Sequence, residues 1–158
     1  VSQEAYLFTT TIAQNVRLAA PEASEEQIIA ALTRAGLGPW IASLPRGIET
    51  LVGEEGAEVS GGQRGRIALA RGFIAPSQVV ILDEPTANLD AAGARDLLSA
   101  IGSERSDRRA MLVITHTVEG LEEFDEIIVL EAGAVVERGT WGELIAAEGA
   151  LARLSAAA

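Results

Sequence analysis

Two adjacent acids, Asp83 and Glu84, close a short run of apolar residues, Val79, Val80, Ile81 and Leu82, and are followed by Pro85. A strand that ends in paired carboxylates puts them where α/β sheets hold their ligands. There the first acid could hold Mg²⁺, directly or through water, while the second activates a water for attack on a phosphoryl group. An isolated Asp-Glu pair is more often a solvated strand end, so the neighbouring residues decide. Upstream stands Val59-Ser60-Gly61-Gly62-Gln63. Glycines at a helix start let backbone amides and the positive end of the helix dipole approach an anion closely. The Ser60 hydroxyl can bind a phosphate oxygen or cap the helix. An ordinary capped start accounts for Ser60 and Gln63, but poorly for Gly61 and Gly62, because glycine weakens a first turn. Downstream, Asp90 closes Ala87-Asn88-Leu89-Asp90, and His116, the single histidine, follows a second apolar run at residues 111–114. The expected sheet brings His116 to the same edge as Asp83 and Glu84, where an imidazole could contact a terminal phosphate.

The elements that must position these groups are legible from spacing. Ser24 and Gln27 form a capping box ahead of a helix over residues 23–35, with Ile28, Ala31, Leu32 and Ala35 on one face. Residues 45–58, rich in Gly and Glu, read as an exposed loop. Ser60 and Gln63 form a second capping box and open a helix to about Ala75. Residues 79–82 and 111–114 read as strands buried on both faces, separated by a helix over about 91–103. Residues 127–130 and 135–137 flank Ala132-Gly133 as a hairpin, helices close the chain from about Trp141, and residues 155–158 read as frayed. The layout is α/β with an all-helical front piece, divided as residues 1–75 and 76–158.

Composition narrows the partners. The chain has 158 residues, enough for one ordinary domain. Twelve basic against 23 acidic residues give a net charge of −11, which argues against a nucleic-acid surface. Every basic residue is Arg; there is no Lys. No Cys and a single His exclude disulfides, thiol nucleophiles and Cys- or His-cluster metal sites. No apolar run reaches the ~20 residues that span a bilayer, so membrane attachment would come from another domain or subunit. The start at Val1, without Met, leads us to expect an excised fragment.

The order of motifs resembles the nucleotide-binding domain of ABC transporters. Gln3, in Val1-Ser2-Gln3-Glu4-Ala5-Tyr6-Leu7-Phe8, resembles the Q-loop glutamine; Val59 to Gln63 resembles the signature motif, with Val59 where Leu is usual. Val79 to Pro85 resembles Walker B, Ala87 to Asp90 the D-loop, and His116 the switch histidine. The resemblance implies ATP and Mg²⁺ as ligands, with Asp83 and Gln3 at the metal and Glu84 and His116 in catalysis. It likewise implies that Ser60, Gly61, Gly62, Gln63, Asp90 and Gln3 bind nucleotide. It implies a head-to-tail dimer with a second such domain, homo- or heteromeric. The phosphate-binding G-x-x-x-x-G-K-[ST] loop is missing, and a chain without Lys cannot contain it. The expected fold is therefore a partial P-loop NTPase, the helical subdomain plus the back half of the catalytic core, inactive by itself.

Within the family, Thr50-Leu51-Val52-Gly53-Glu54-Glu55-Gly56 resembles the exporter loop that touches transmembrane domains, although Glu55 stands where Arg is common and Leu51 where some members carry Glu. Phe8, Ile12 and Asn15 also match exporters. Residues 115–121 and 127–139 are similar to bacterial thiol-reductant exporters of cytochrome bd assembly. These likenesses imply an exporter ATPase on the cytoplasmic face of the membrane. The alternatives are a soluble ABC ATPase of DNA repair or translation, which the short span from Gln3 to Ser60 and the acidic charge disfavour, and a non-catalytic interaction module.

Overall fold

Ser24 and Ser60 each begin a helix in the same way, and those two helices organise the front of the chain. The computed structural model describes residues 6–53, 59–87, 89–102 and 109–157. The helix α2, Glu25–Arg34, starts at Ser24, whose side chain accepts from the Gln27 N–H while the Gln27 side chain accepts from the Ser24 N–H. The helix α4, Gly61–Ile74, starts at Ser60 with the same reciprocal pair to Gln63. Each box satisfies two amides that a helix start leaves orphaned, an effect of about 1 kcal/mol. Between α2 and α4 lies α3, Gly38–Ser43, with Pro in its first turn. A short helix α1, Ile12–Arg17, precedes α2 and is capped by Thr11.

The chain divides into two units. The first holds everything from the start through β3, Val79–Asp83, and also β4, Ala110–Ile114. In it α1 and α2 pack on α4, and Ile12, Val16, Ile28, Leu32, Ile67 and Leu69 are all at most 2% exposed. Full burial of each such side chain contributes roughly 1.5–3 kcal/mol. Arg109 closes the far end of α4, donating to the Phe73 carbonyl at 2.7 Å and to those of Ala75 and Ser77.

Two expectations change here. Residues 45–53 are not simply an exposed loop: a 3₁₀ turn, Gly47–Glu49, and a strand β2, Leu51–Val52, bury Ile48 and Val52. The strand pairs antiparallel with β1, Thr10–Thr11, so its backbone groups are satisfied away from water. Residues 54–58 of the expected loop lie outside the described residues. The strand β3 is also not buried on both faces: Val80 and Leu82 are buried, while Val79 and Ile81 are 60% and 50% exposed. The strand β4 likewise exposes Leu112 and Ile114. The parallel pair carries α4 against it, and the two-residue alternation of strand side chains turns the remaining residues outward.

The second unit holds α5, Ala91–Gly102, and the chain from Thr115 onward. Its core joins Val118, Ile127, Val129, Leu144, Ala150 and Leu151. The strands β5, Ile127–Glu131, and β6, Ala134–Gly139, form the expected antiparallel hairpin. Its turn residues Ala132 and Gly133 have φ of 49° and 79°, the left-handed pair that matches strand twist. Helices α6, Trp141–Ala146, and α7, Ala150–Ala157, follow. The expected fraying at residues 155–157 is replaced by helix, and Ala158 is outside the described residues. Glu137 explains the change, since its carboxylate accepts from the Ala150 and Leu151 N–H groups and so anchors the start of α7. No described helix is long and apolar enough to cross a membrane.

Candidate functional site

Asp83 is the last residue of β3, level in register with Ile114, the last residue of β4. Its carboxylate is exposed. The next residue, Glu84, leaves the strand with φ of 48°, a left-handed conformation that a long side chain adopts only when its surroundings over-determine it. Two backbone bonds fix this corner: the Glu84 N–H donates to the Ile114 carbonyl at 2.8 Å, and the Ala87 N–H to the Glu84 carbonyl at 3.1 Å. Strain of order 1–3 kcal/mol is characteristic of such positions. The corner turns the chain off the sheet directly after the paired acids and shields the Glu84 Oε2 from solvent.

At the start of α4, the Ser60 Oγ accepts from the Gln63 N–H at 3.2 Å and the Gln63 Oε1 accepts from the Ser60 N–H at 2.9 Å. The polar side chains expected to face a ligand therefore cap the helix. What the turn presents outward is backbone, the amides of Gly61 and Gly62, which belong to the orphan donors of a helix start. Gly61 is exposed, and a Cβ added there would meet nothing within 4 Å. Among the described residues nothing demands glycine at this position.

Asp90 and His116 lie in the second unit. The Asp90 Oδ1 accepts from the Gly93 N–H at 2.9 Å and its carbonyl from the Ala94 N–H, so it caps α5. His116 is exposed, two residues beyond β4, in a loop held by Thr115 Oγ1 accepting from the Thr117 N–H at 3.0 Å and by the burial of Val118. Gly120 then approaches α5 so closely that a Cβ would come within 2.7 Å of the Arg95 carbonyl oxygen, and its φ is 90°. Sequence reasoning missed Gly120, whose signal was a lone glycine ahead of an apolar residue. It also missed Arg71, which donates from α4 to Asn15 and to the Tyr6 carbonyl. Gln3 and Asn88 lie outside the described residues.

The donor set bears on the implied metal. Among the described residues no three His, Asp or Glu side chains gather as a metal cage. Mg²⁺ does not need one, because it takes one or two carboxylates, waters and substrate phosphates. The exposed carboxylate of Asp83 at a strand end fits that mode of binding.

The ABC transporter family model matches residues 1–87. The ATP-dependent lipid A-core flippase of Mannheimia succiniciproducens is 44% identical over 155 residues, covering 98% of this chain and 26% of the flippase. The flippase of the same name from Vibrio cholerae is 41% identical with the same coverage. A solved structure of a bacterial Atm1-family ABC exporter with ATP bound superposes with a TM-score of 0.83 at 33% identity, over 99% of this chain and 27% of the exporter. The chain thus spans about a quarter of the length of the curated relatives it matches.

Proposed function

This chain belongs to the ABC transporter family, and from that premise we propose that it forms the helical subdomain and the back half of the ATPase core of an ABC exporter that couples ATP hydrolysis to transport. In this reading the helical subdomain is residues 1–75 and the back half of the core residues 76–158, a functional division that differs from the two compact units, where β3 and β4 fall with the front piece. The observation that carries the reading is the corner at Glu84, where a strained, doubly hydrogen-bonded backbone follows a strand-end Asp.

In this reading Asp83, with Gln3, holds Mg²⁺, which when bound neutralises charge on the phosphates. Glu84 acts as general base on the attacking water, a role worth ~10²–10⁴-fold. His116 contacts the terminal phosphate. The α4 start offers the amides of Gly61 and Gly62 and a positive dipole end to a phosphate held by a partner subunit. Ser60 and Gln63 serve that contact by fixing the turn, and Asp90 by fixing the start of α5. Partners are ATP, a second nucleotide-binding domain and transmembrane domains, at the cytoplasmic face of the membrane. The chain alone, without Lys and hence without a phosphate-loop lysine, is inactive.

Kinship with lipid flippases and an exporter favours this reading over a soluble repair or translation ATPase. The thiol-reductant cargo suggested by residues 115–121 and 127–139 is a finer proposal, and a lipid A-core glycolipid and a small reduced thiol are the two cargoes to compare. The intact parent, reconstituted in nanodiscs, is tested for ATP turnover with each cargo and with DNA. Turnover raised by one cargo and indifferent to DNA supports the exporter. Turnover that requires DNA contradicts it.

A further inference from the structure

Arg71 lies in the last turn of α4 but points its bonds at a different part of the chain. Its Nε donates to the Asn15 carbonyl at 2.8 Å, its Nη1 to the Tyr6 carbonyl at 2.9 Å, and its Nη2 to the Asn15 Oδ1 at 2.7 Å. Asn15 is fully buried and saturated. Its Oδ1 also accepts from the Phe8 N–H at 3.0 Å, and its Nδ2 donates to the Phe8 and Thr11 carbonyls, each at 3.0 Å. Burial lowers the Arg71 guanidinium from its ordinary value, and its three acceptors replace the water it gives up. A planar fork with several fixed donors can bridge such a set, whereas the point charge of Lys cannot.

The segment so gripped ends outward in two aromatic rings. Tyr6 and Phe8 are 66% and 50% exposed and meet edge to face at 4.9 Å. The other end of the lever is the start of α4, ten residues from Arg71 (71 minus 61), or roughly 15 Å along the axis. We propose that Arg71 and Asn15 are positioning residues, which bind residues 6–11 to α4 as one body so that the Tyr6–Phe8 segment sets where Ser60 and Gly61 stand. This rests on the exporter reading, in which Gly61 meets the nucleotide. A displacement of about 1 Å at such a contact is enough to cost about 10²-fold in rate.

The test uses the full-length parent in nanodiscs, with Arg71→Lys, Asn15→Ala and the double variant. Turnover is counted per chain that binds a fluorescent ATP analogue, so misfolded protein drops out of the count. Each single variant is expected to lose at least ~10-fold in turnover per binding chain, with the analogue's Kd held within ~3-fold, and the double variant to be no worse than the poorer single. Turnover per binding chain equal to wild type, a loss that only tracks lost binding, or additive losses in the double variant overturns the proposal. A wild-type parent that binds and turns over no ATP overturns the exporter reading and this proposal with it. Wild-type turnover beside unaffected variants overturns the proposal alone.

Discussion

The Glu84 N–H is bonded to the Ile114 carbonyl at 2.8 Å while Glu84 itself sits at φ of 48°. The end of one parallel strand thus dictates the backbone of the residue after the other. A residue at ease in the left-handed region would relax this corner. Glu84→Asn is therefore expected to leave the thermal midpoint of the parent equal or raised, while ATP turnover is lost. Calorimetry and an ATPase assay on the same preparation check this. A lowered midpoint would mean the Glu84 side chain stabilises the corner more than its backbone strains it.

Ser60 separates capping from ligand contact. Ser60→Ala removes the acceptor for the Gln63 N–H and should destabilise by about 1 kcal/mol. Ser60→Asp keeps an equally good cap but brings a negative charge beside the turn that is proposed to meet phosphate. Its thermal midpoint should match wild type while ATP-dependent turnover falls. Equal turnover in Ser60→Asp would make Ser60 a cap and nothing more.

Gly61 offers a cleaner steric test, since a Cβ there meets nothing within 4 Å among the described residues. Gly61→Asp should leave the fold of the parent domain intact and block its ATP-driven dimerisation, because a carboxylate would stand where backbone must approach phosphate. Sizing of a hydrolysis-deficient parent domain with ATP, with and without the change, reads this out. Equal dimerisation in both would reduce Gly61-Gly62 to an ordinary helix start.

Much of this site was legible in the sequence because it depends on local spacing. Ser24 with Gln27 and Ser60 with Gln63 identify helix starts by a fixed three-residue offset, and both boxes form. Ala132-Gly133 between two apolar runs gives the hairpin for the same reason. Features set by distant partners were not legible. The continuous apolar run at residues 79–82 says nothing about which face is covered. The anchor of α7 is Glu137 on another strand, and the partners of Arg71 lie 56 and 65 residues away. The helices α1 and α3, six residues each, are too short for periodicity to reveal. Nothing about glutamate as a residue type foretells a positive φ at Glu84.

Two exposed carboxylates give a pH dependence with a definite sign. The Arg138 side chain bonded to Glu126 holds that carboxyl below its ordinary value. The Thr140 N–H, followed by its hydroxyl, does the same for Glu143 in the capping box of α6. A carboxyl with a lowered folded pKa adds stability that is complete above its unfolded pKa and is lost as pH falls through the folded one. The thermal midpoint should therefore drop on acidification below the usual carboxylate range. Glu143→Gln, which preserves the capping-box pattern, should flatten that drop. An unchanged acid slope in Glu143→Gln would remove Glu143 from the account.

Glu84 is proposed as the base of an ATPase whose nucleotide site remains whole when that base is neutralised. The most direct measurement is paired ATP affinity and turnover in the intact parent carrying Glu84→Gln, which keeps the shape of the side chain and removes only its basicity. If Glu84 is that base, ATP binds close to wild type and turnover falls by ~10²–10⁴-fold. Turnover at the wild-type rate, with binding unchanged, would contradict it.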